Sequence, residues 1–542
     1  MVGAGIYVTT GTVIKNLAGP SAILSYLFAG LAAMLSALCY AEFGAHVPKA
    51  GSAYSYIFVT LGEVWGFMVG WNVILEQILG TASVARAWSG SMDTLFNGAI
   101  RNGTITAVGS LGESNWHSDY PDFLAFGVCI VSFAFVATSA KVTLRFNNII
   151  TLLNVLVLAF IIIAGFCFAD VKHWIDPAEG GFFPYGISGT FSGAAACFFA
   201  YIGFEGIATS AEEATNPAKS IPIASIGGVT VVTLFYVLIC TSLTLVVPYS
   251  DVDISAPYPQ AFATRGVYWI QYIIAIGTLF GISTSLLGSA FSLPRSVYSM
   301  ASDGLLFRFL SNVNERTQTP VAAIAVFGLL SGLMAMLFEM ETLVEFLSIG
   351  TLFAYTIVAF SVIVLRYMPV TKCQFKLRTE EPDAEVDEVS SESASEKHNI
   401  VRSKSHDDFG RLRQSLRNIP VLRQFDPGNA AILATTFMVC CMLGLAAIIV
   451  FGMENLSNRD WWAVTLLVFF STCVVFFYMV IVAHEQNSAF LTFQTPLVPL
   501  LPSASMFINI ILMMKLGSLT WMRLGIWMAV GMYAMFILKL VN

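Results

Sequence analysis

Apolar runs follow one another through nearly the whole chain, separated by short polar stretches. A membrane-crossing helix needs roughly 20 mostly apolar residues, and on that measure the pattern predicts about fourteen helices. They fall near 2–15, 20–44, 63–90, 122–140, 147–169, 190–211, 221–247, 267–294, 320–338, 343–366, 429–452, 461–483, 494–515 and 519–539, the first of them short. One long interruption breaks the series. From 367 to 428 the chain is hydrophilic, acidic first (Glu380, Glu381, Asp383, Glu385) and then basic (Arg402, Lys404, Arg411, Arg413). Such a stretch cannot bury a core, so it reads as a disordered tether with a basic half suited to anionic lipid and with Ser390, Ser391, Ser403 and Ser405 open to phosphorylation. The chain therefore divides into a ten-helix core over 1–366, a loop over 367–428 and four further helices over 429–542, which the pattern places at the periphery.

Composition agrees with the pattern. Hydrophobic residues make up 56% and charged residues 11%, with a mean hydropathy of +0.75, which excludes a soluble domain. The fold class is an all-α polytopic membrane protein. The net charge of −7 reflects the acidic half of the loop and suggests no nucleic-acid partner. Of the nine cysteines, eight fall within predicted helices and Cys373 just after one, a distribution that argues for neither a disulfide nor a metal site. No phosphate-binding loop, nucleophile triad or metal cluster is present in the pattern, so no catalytic residue, cofactor or ATP-driven mechanism is expected.

Basic residues in short loops set the orientation. Lys49, Lys141, Arg145, Lys219, Arg308, Arg316 and the 367–428 loop share one side, which becomes cytosolic. The acceptor patterns at Asn102 and Asn455 fall on the other side, and Asn102 is the better candidate for glycosylation because Asn455 lies so close to its helix.

Two apolar segments are interrupted by glycine: Gly3-Ala4-Gly5 in helix one and Tyr201-Ile202-Gly203-Phe204-Glu205-Gly206 in helix six. Their places match if helices one to five and six to ten are inverted halves, and broken helices at matching places mark a transport site, where freed amides and carbonyls take a bound zwitterion or ion as partner. At the first break, glycines admit a ligand to the backbone, and a helix that starts there turns its positive end toward a carboxylate; close helix packing through small residues is the competing reading. At the second, released carbonyls can accept from an ammonium, Phe204 or Phe199 can cover the site as a gate, and Glu205 is either a charge partner or a satisfied acid. Glu76 lies halfway through helix three, where an ionisable group costs at least ~2.5 kcal/mol, so it requires a partner, water or a ligand. Arg86 and Arg295 read as snorkelling near helix ends, Glu345 as structural or part of an outer gate, and Glu212-Glu213 as an inner-gate or capping turn.

Several stretches together resemble the cationic amino-acid transporter family of the amino acid, polyamine and organocation superfamily. They are GAGIYV at 3–8, YAEFGAHVPKAGSAYSY at 40–56, GWNVILEQILGTASVARAWS at 70–89, FFAYIGFEGIATSAEEATNP at 198–217, STSLLGS at 283–289, ASDGLLFRFL at 301–310 and PLVPLLPSASMFINIILMMKL at 496–516. The resemblance covers nearly the whole chain outside the loop. It implies a five-plus-five inverted-repeat core that carries arginine, lysine and ornithine by alternating access. It further implies that Gly3, Ala4 and Gly5 hold the substrate carboxylate and that Phe199, Ala200 and Ile202 offer carbonyls to its α-amino group. Glu76 matches the family's helix-three glutamate, Ser285 borders the side-chain pocket, and Glu205 replaces the usual aspartate. Proton-coupled relatives carry a helix-five lysine in the space of a sodium ion; here the matching residue is Asn154, which cannot cycle a proton and points to a uniporter or exchanger. Family members also carry a hydrophilic N-terminus and an inner half of helix one ahead of GAG, so by resemblance helix one is incomplete as written. The alternatives are a neutral amino-acid or polyamine carrier on the same fold, and a non-transporting amino-acid receptor or regulatory product. The expected membrane is the plasma membrane, with the lysosomal membrane second.

Overall fold

The computed structural model describes residues 2–47, 51–96, 98–109, 112, 118–175, 181–209, 214–254, 256–367, 429–486 and 493–541. Helices dominate, and among these residues the only β pairing is one isolated bridge between Asn314 and Thr319. In chain order the membrane helices are α1 (Ala4–Thr12), α2 (Ala22–His46), α3 (Glu63–Leu95), α4 (Phe123–Thr138), α5 (Ala140–Cys167), α6 (Gly186–Cys197) and α7 (Pro217–Val246). They continue with α8 (Tyr268–Ser302), α9 (Val321–Leu337), α10 (Met340–Tyr367), α11 (Asn429–Phe451), α12 (Trp461–Val482), α13 (Leu500–Met514) and α14 (Ser518–Val541). Ten helical runs among the described residues are long and apolar enough to cross a membrane, one of them containing both α1 and α2, while α4, α9 and α13 are shorter apolar helices. Each predicted segment thus has its helix.

The boundaries differ from the hydropathy reading where helices outrun their apolar part. α5 begins at Ala140, not near 147, and α8 runs on to Ser302, past Pro294, not to 294. Their added turns carry Arg145, Arg295 and Ser299, polar residues that a helix can carry beyond the hydrocarbon but that end an apolar window. Between α1 and α2 the chain passes through a wide turn, Val13–Ala18, and a tight one, Gly19–Ser21, where Gly19 takes φ 66° and Pro20 prevents the first helix from continuing.

α1 sits inside the bundle, against α3, the interrupted end of α6 and α8. α2 packs on α6 and α7, α3 on α8, α9 and α10, and α5 on α7 and α8. The four C-terminal helices do not share one environment. α13 lies on α2 and α10, where Ser36 and Ser505 pair at 2.9 Å and Asn509 donates to Ser36 at 3.3 Å. α14 lies on α3 and α10, and Trp71 and Trp527 stack with ring centres 4.6 Å apart, each indole N–H donating to the other's backbone carbonyl at 3.0 and 3.2 Å. Small polar groups bonded across helices are what hold helices together where no hydrophobic effect separates them from lipid. α12 leans chiefly on α11 and turns most of its apolar surface outward.

Candidate functional site

The start of α1, the interruption of α6 and the middle of α8 converge. Gly3 lies in extended backbone (φ −173°) ahead of α1, and a Cβ there would run into the hydroxyl of Ser285 and the backbone carbonyl of Gly281. A Cβ on Gly5 would run into the Cα of Ala200. Only glycine lets these three backbones close on one another, and the first-turn amides of α1, which have no partners within the helix, lie at the junction.

The second interruption has a local cause. α6 tightens into a turn at Phe198–Tyr201, Ile202 is extended, Gly203 takes φ 120°, and a short helix resumes at Glu205–Thr209. Glu205 folds back on the gap: its Oε2 accepts from the Gly203 amide at 3.0 Å and from the Tyr355 hydroxyl of α10 at 2.7 Å. This carboxylate therefore satisfies a backbone donor that the break leaves over. Of the carbonyls expected to face an ammonium, Phe199 accepts from the Ile202 amide at 3.2 Å and Ala200 from the Tyr236 hydroxyl at 2.9 Å, so each has one of its two lone pairs engaged.

A cavity of about 720 Å³ occupies the junction. Gly5, Phe199, Ala200, Ile202, Glu76, Glu205, Ser285 and Asn154 all line it. From there it extends along α5 and α7 to Thr143, Ser220 and Ala214, beside the helix ends that carry Arg145 and Lys219. By the charge rule that is the cytosolic side. Toward the other side, hydroxyls and rings interlock: Tyr7 meets Tyr258 edge-on at 6.1 Å, Tyr258 donates to Thr10 at 3.1 Å, and Thr10 pairs with Tyr26 at 2.6 Å. The cavity thus reaches toward the helix ends that carry Arg145 and Lys219, while rings and hydroxyls pack together toward the other side.

The polar wall is acidic. Glu76, 4% exposed in α3, leaves its Oε1 without a hydrogen-bond partner; Thr351 is its side-chain hydrogen-bonding neighbour, and the charge that acts on it is that of Glu205. No Lys or Arg is among the described residues that line the cavity. Asn154 closes the side next to α1: its Oδ1 accepts from the Tyr7 hydroxyl at 3.0 Å and its amide donates to the Val2 carbonyl at 3.2 Å. A carboxamide thus occupies the space between α1, α5 and α8 with neutral hydrogen bonds.

Residues 1–377 match the family described as amino acid permease, and residues 493–542 match the C-terminus of that permease family. The chain is 43% identical to cationic amino acid transporter 4 of Mus musculus and 41% identical to the Homo sapiens protein of that name, in both cases over 99% of this chain and 84% of the relative. It is 31% identical to the vacuolar cationic amino acid transporter 2 of Arabidopsis thaliana, over 98% of this chain and 85% of the relative. The chain belongs to the cationic amino acid transporter family.

For this family member the structure also redistributes several residues singled out in the sequence. Phe204 does not line the cavity; it is 1% exposed and packs between Tyr40 and Tyr355, ring centres 5.5 and 4.9 Å away, while Phe199 is the aromatic on the cavity wall. The break rotates the two rings apart, a turn that helical periodicity alone does not give. Arg86 of the transporter does not snorkel: it lies 3.6 Å from Asp122, bonds Ser118 and is buried. Arg295 lies over the Phe291 ring at 3.2 Å, and Glu345 accepts from Thr520 at 3.1 Å, which ties α10 to α14. Asn102 stands exposed on a short helix, Ala99–Val108, between α3 and α4. Glu212, Glu213, Cys373 and the serines of the 367–428 loop lie outside the described residues, and of Ala4 only the backbone is described.

Three features of the transporter escaped the sequence reading. Tyr355 supplies a hydroxyl to Glu205, Gln77 lines the cavity beside Glu76, and Glu42 of α2 forms a fully buried pair with Arg366 of α10 at 2.6 Å. Glu42 did give a signal, since it is an acid within an apolar run, as Glu76 is. Neutral Gln77 and Tyr355 gave none.

Proposed function

We propose that this membrane protein carries cationic amino acids, arginine, lysine and ornithine, by alternating access. The observation that supports it is the cavity wall: two carboxylates, one with an unpartnered buried oxygen, and no basic side chain among the described lining residues. A cation supplies the missing partner at low desolvation cost, while an anion or an apolar side chain leaves the acid uncompensated. The names of the relatives agree with this choice.

In this reading the substrate carboxylate lies against the amides at Gly3, Ala4 and Gly5, and the α-amino group lies beside the backbone of Phe199, Ala200 and Ile202. The side chain points along Ser285 toward Glu76, with Glu205 shaping the break. Phe199, which borders the cavity, takes the covering role expected of Phe204. Asn154 holds α1 by neutral hydrogen bonds, so transport is facilitative or by exchange and follows the membrane potential. A potential of 100 mV supplies ~2.3 kcal/mol per charge, nearly fifty-fold accumulation at equilibrium. Plasma-membrane residence and glycosylation at Asn102 complete the proposal.

Labelled arginine, leucine and spermidine uptake into proteoliposomes at a set potassium-diffusion potential tests it. The expected result is arginine flux that rises with inside-negative voltage and needs no pH gradient. Leucine or spermidine flux in its place would transfer the chain to a neutral or polyamine carrier, and arginine binding without flux would make it a receptor.

A further inference from the structure

Glu76 Oε1 is not the only buried oxygen without a hydrogen bond among the residues of this wall. The next residue of α3, Gln77, also lines the cavity, is 9% exposed, and leaves its Oε1 buried without a hydrogen bond. Buried polar atoms are almost always paired in folded proteins, so two orphan acceptors on consecutive residues at one cavity point to a ligand that supplies donors to both. Consecutive side chains leave a helix about 100° apart. The two side chains therefore set out in different directions, which suits donors carried on separate atoms better than donors gathered on one.

We propose that Gln77 is a specificity-determining residue that makes the site prefer a guanidinium over a primary ammonium, an inference that rests on the cationic amino-acid reading. A guanidinium is a rigid planar fork with donors on separate nitrogens, so one N–H reaches Glu76 Oε1 while another reaches Gln77 Oε1. An ammonium gathers its three donors on one atom. Drawn to the carboxylate by charge, it stays with Glu76 and leaves the carboxamide oxygen of Gln77 unsatisfied. Glu76 thus selects charge, and Gln77 selects the shape over which the charge is spread.

Binding of labelled L-arginine and L-lysine to the purified full-length chain, wild type against Gln77→Leu and Gln77→Asn, separates the possibilities. Gln77→Leu keeps the bulk of the side chain and removes its acceptor; arginine affinity is expected to fall about tenfold, with lysine changing by less than about twofold. Gln77→Asn keeps the carboxamide but withdraws it by one methylene, and a smaller loss, again confined to arginine, is expected even if the leucine variant does not fold. Equal losses for the two substrates would assign Gln77 a structural role and overturn the inference, as would unchanged arginine affinity in both variants. Wild-type protein that binds neither cation would overturn the transport reading itself, a result distinct from wild-type binding with unselective Gln77 variants.

Discussion

Two acids are buried within membrane helices among the described residues, and their surroundings are opposite. Glu42 of α2 is 0% exposed and both of its oxygens are engaged: Oε1 by the Arg366 guanidinium at 2.6 Å and Oε2 by the Thr495 amide at 2.8 Å. Arg366 in turn donates to Gln494 at 2.9 Å, with only its Nη2 left over. Glu76 of α3 is nearly as buried, yet one oxygen has no partner, its side-chain hydrogen bond comes from neutral Thr351, and the charge that acts on it is another carboxylate. An acid in the membrane interior is expensive in either case. The protein offsets that cost for Glu42 out of its own chain, and in doing so fastens α2 and α10 to the segment that leads into α13. For Glu76 it supplies no opposite charge, and the residue lines a cavity. Burial alone thus fails to separate a structural acid from a receptive one; the state of its hydrogen-bond shell does.

The comparison breaks first at Glu42. Removing one member of a buried pair strands the other charge, at a cost of about 3–5 kcal/mol. Glu42→Gln is expected to lower the thermal unfolding midpoint in detergent more than any other substitution considered, and Glu42→Gln with Arg366→Met to recover much of it. A single variant as stable as wild type would show that the pair fastens nothing.

At Glu76 the expectation reverses. Glu76→Gln removes a charge that the protein itself leaves unpaired, so the unfolding midpoint should hold or rise. Arginine uptake should fall by at least about thirtyfold, the scale of truncating one partner of a buried charge pair. Persistent arginine uptake at the wild-type rate would remove Glu76 from the site and leave Glu205 as the cavity's acid.

The sequence carried the large-scale part of this contrast and lost its detail. Fourteen apolar segments, both interrupted stretches and Glu76 as an ionisable group out of place were legible, because each is a local departure from apolar composition. The partners were not. Asp122 lies in a loop, 36 residues from the Arg86 it neutralises, and 324 residues separate Glu42 from Arg366. Nothing local marks α13 and α14 as bound to the core and α12 as turned to lipid, since all three are apolar and the difference lies in Asn509, Ser505 and Trp527 finding partners on other helices. Phe204 and Phe199 could not be told apart either, because the unwound turn between them resets the direction in which each side chain leaves the backbone.

Glu205 stands between the two extremes and gives the finest test. Its Oε2 is engaged by Gly203 and Tyr355, as at Glu42, yet it lines the cavity, as Glu76 does. If its main work is to hold the gap in α6 open, its effect reaches the substrate through the backbone at Phe199 to Ile202, which in the proposed pose meets the α-amino group common to every amino acid. Tyr355→Phe removes one hydrogen bond to that carboxylate and leaves the ring in place against Phe204. About 1 kcal/mol is at stake, roughly a fivefold rise in KM, smaller than at Glu76 because cavity water can replace the hydroxyl. Arginine and lysine should be affected equally, since the change reaches neither side-chain pocket nor charge. A loss confined to one of them would place Glu205 beside the side chain of the substrate, and an unchanged KM for both would mean that the Gly203 amide alone holds the carboxylate in position.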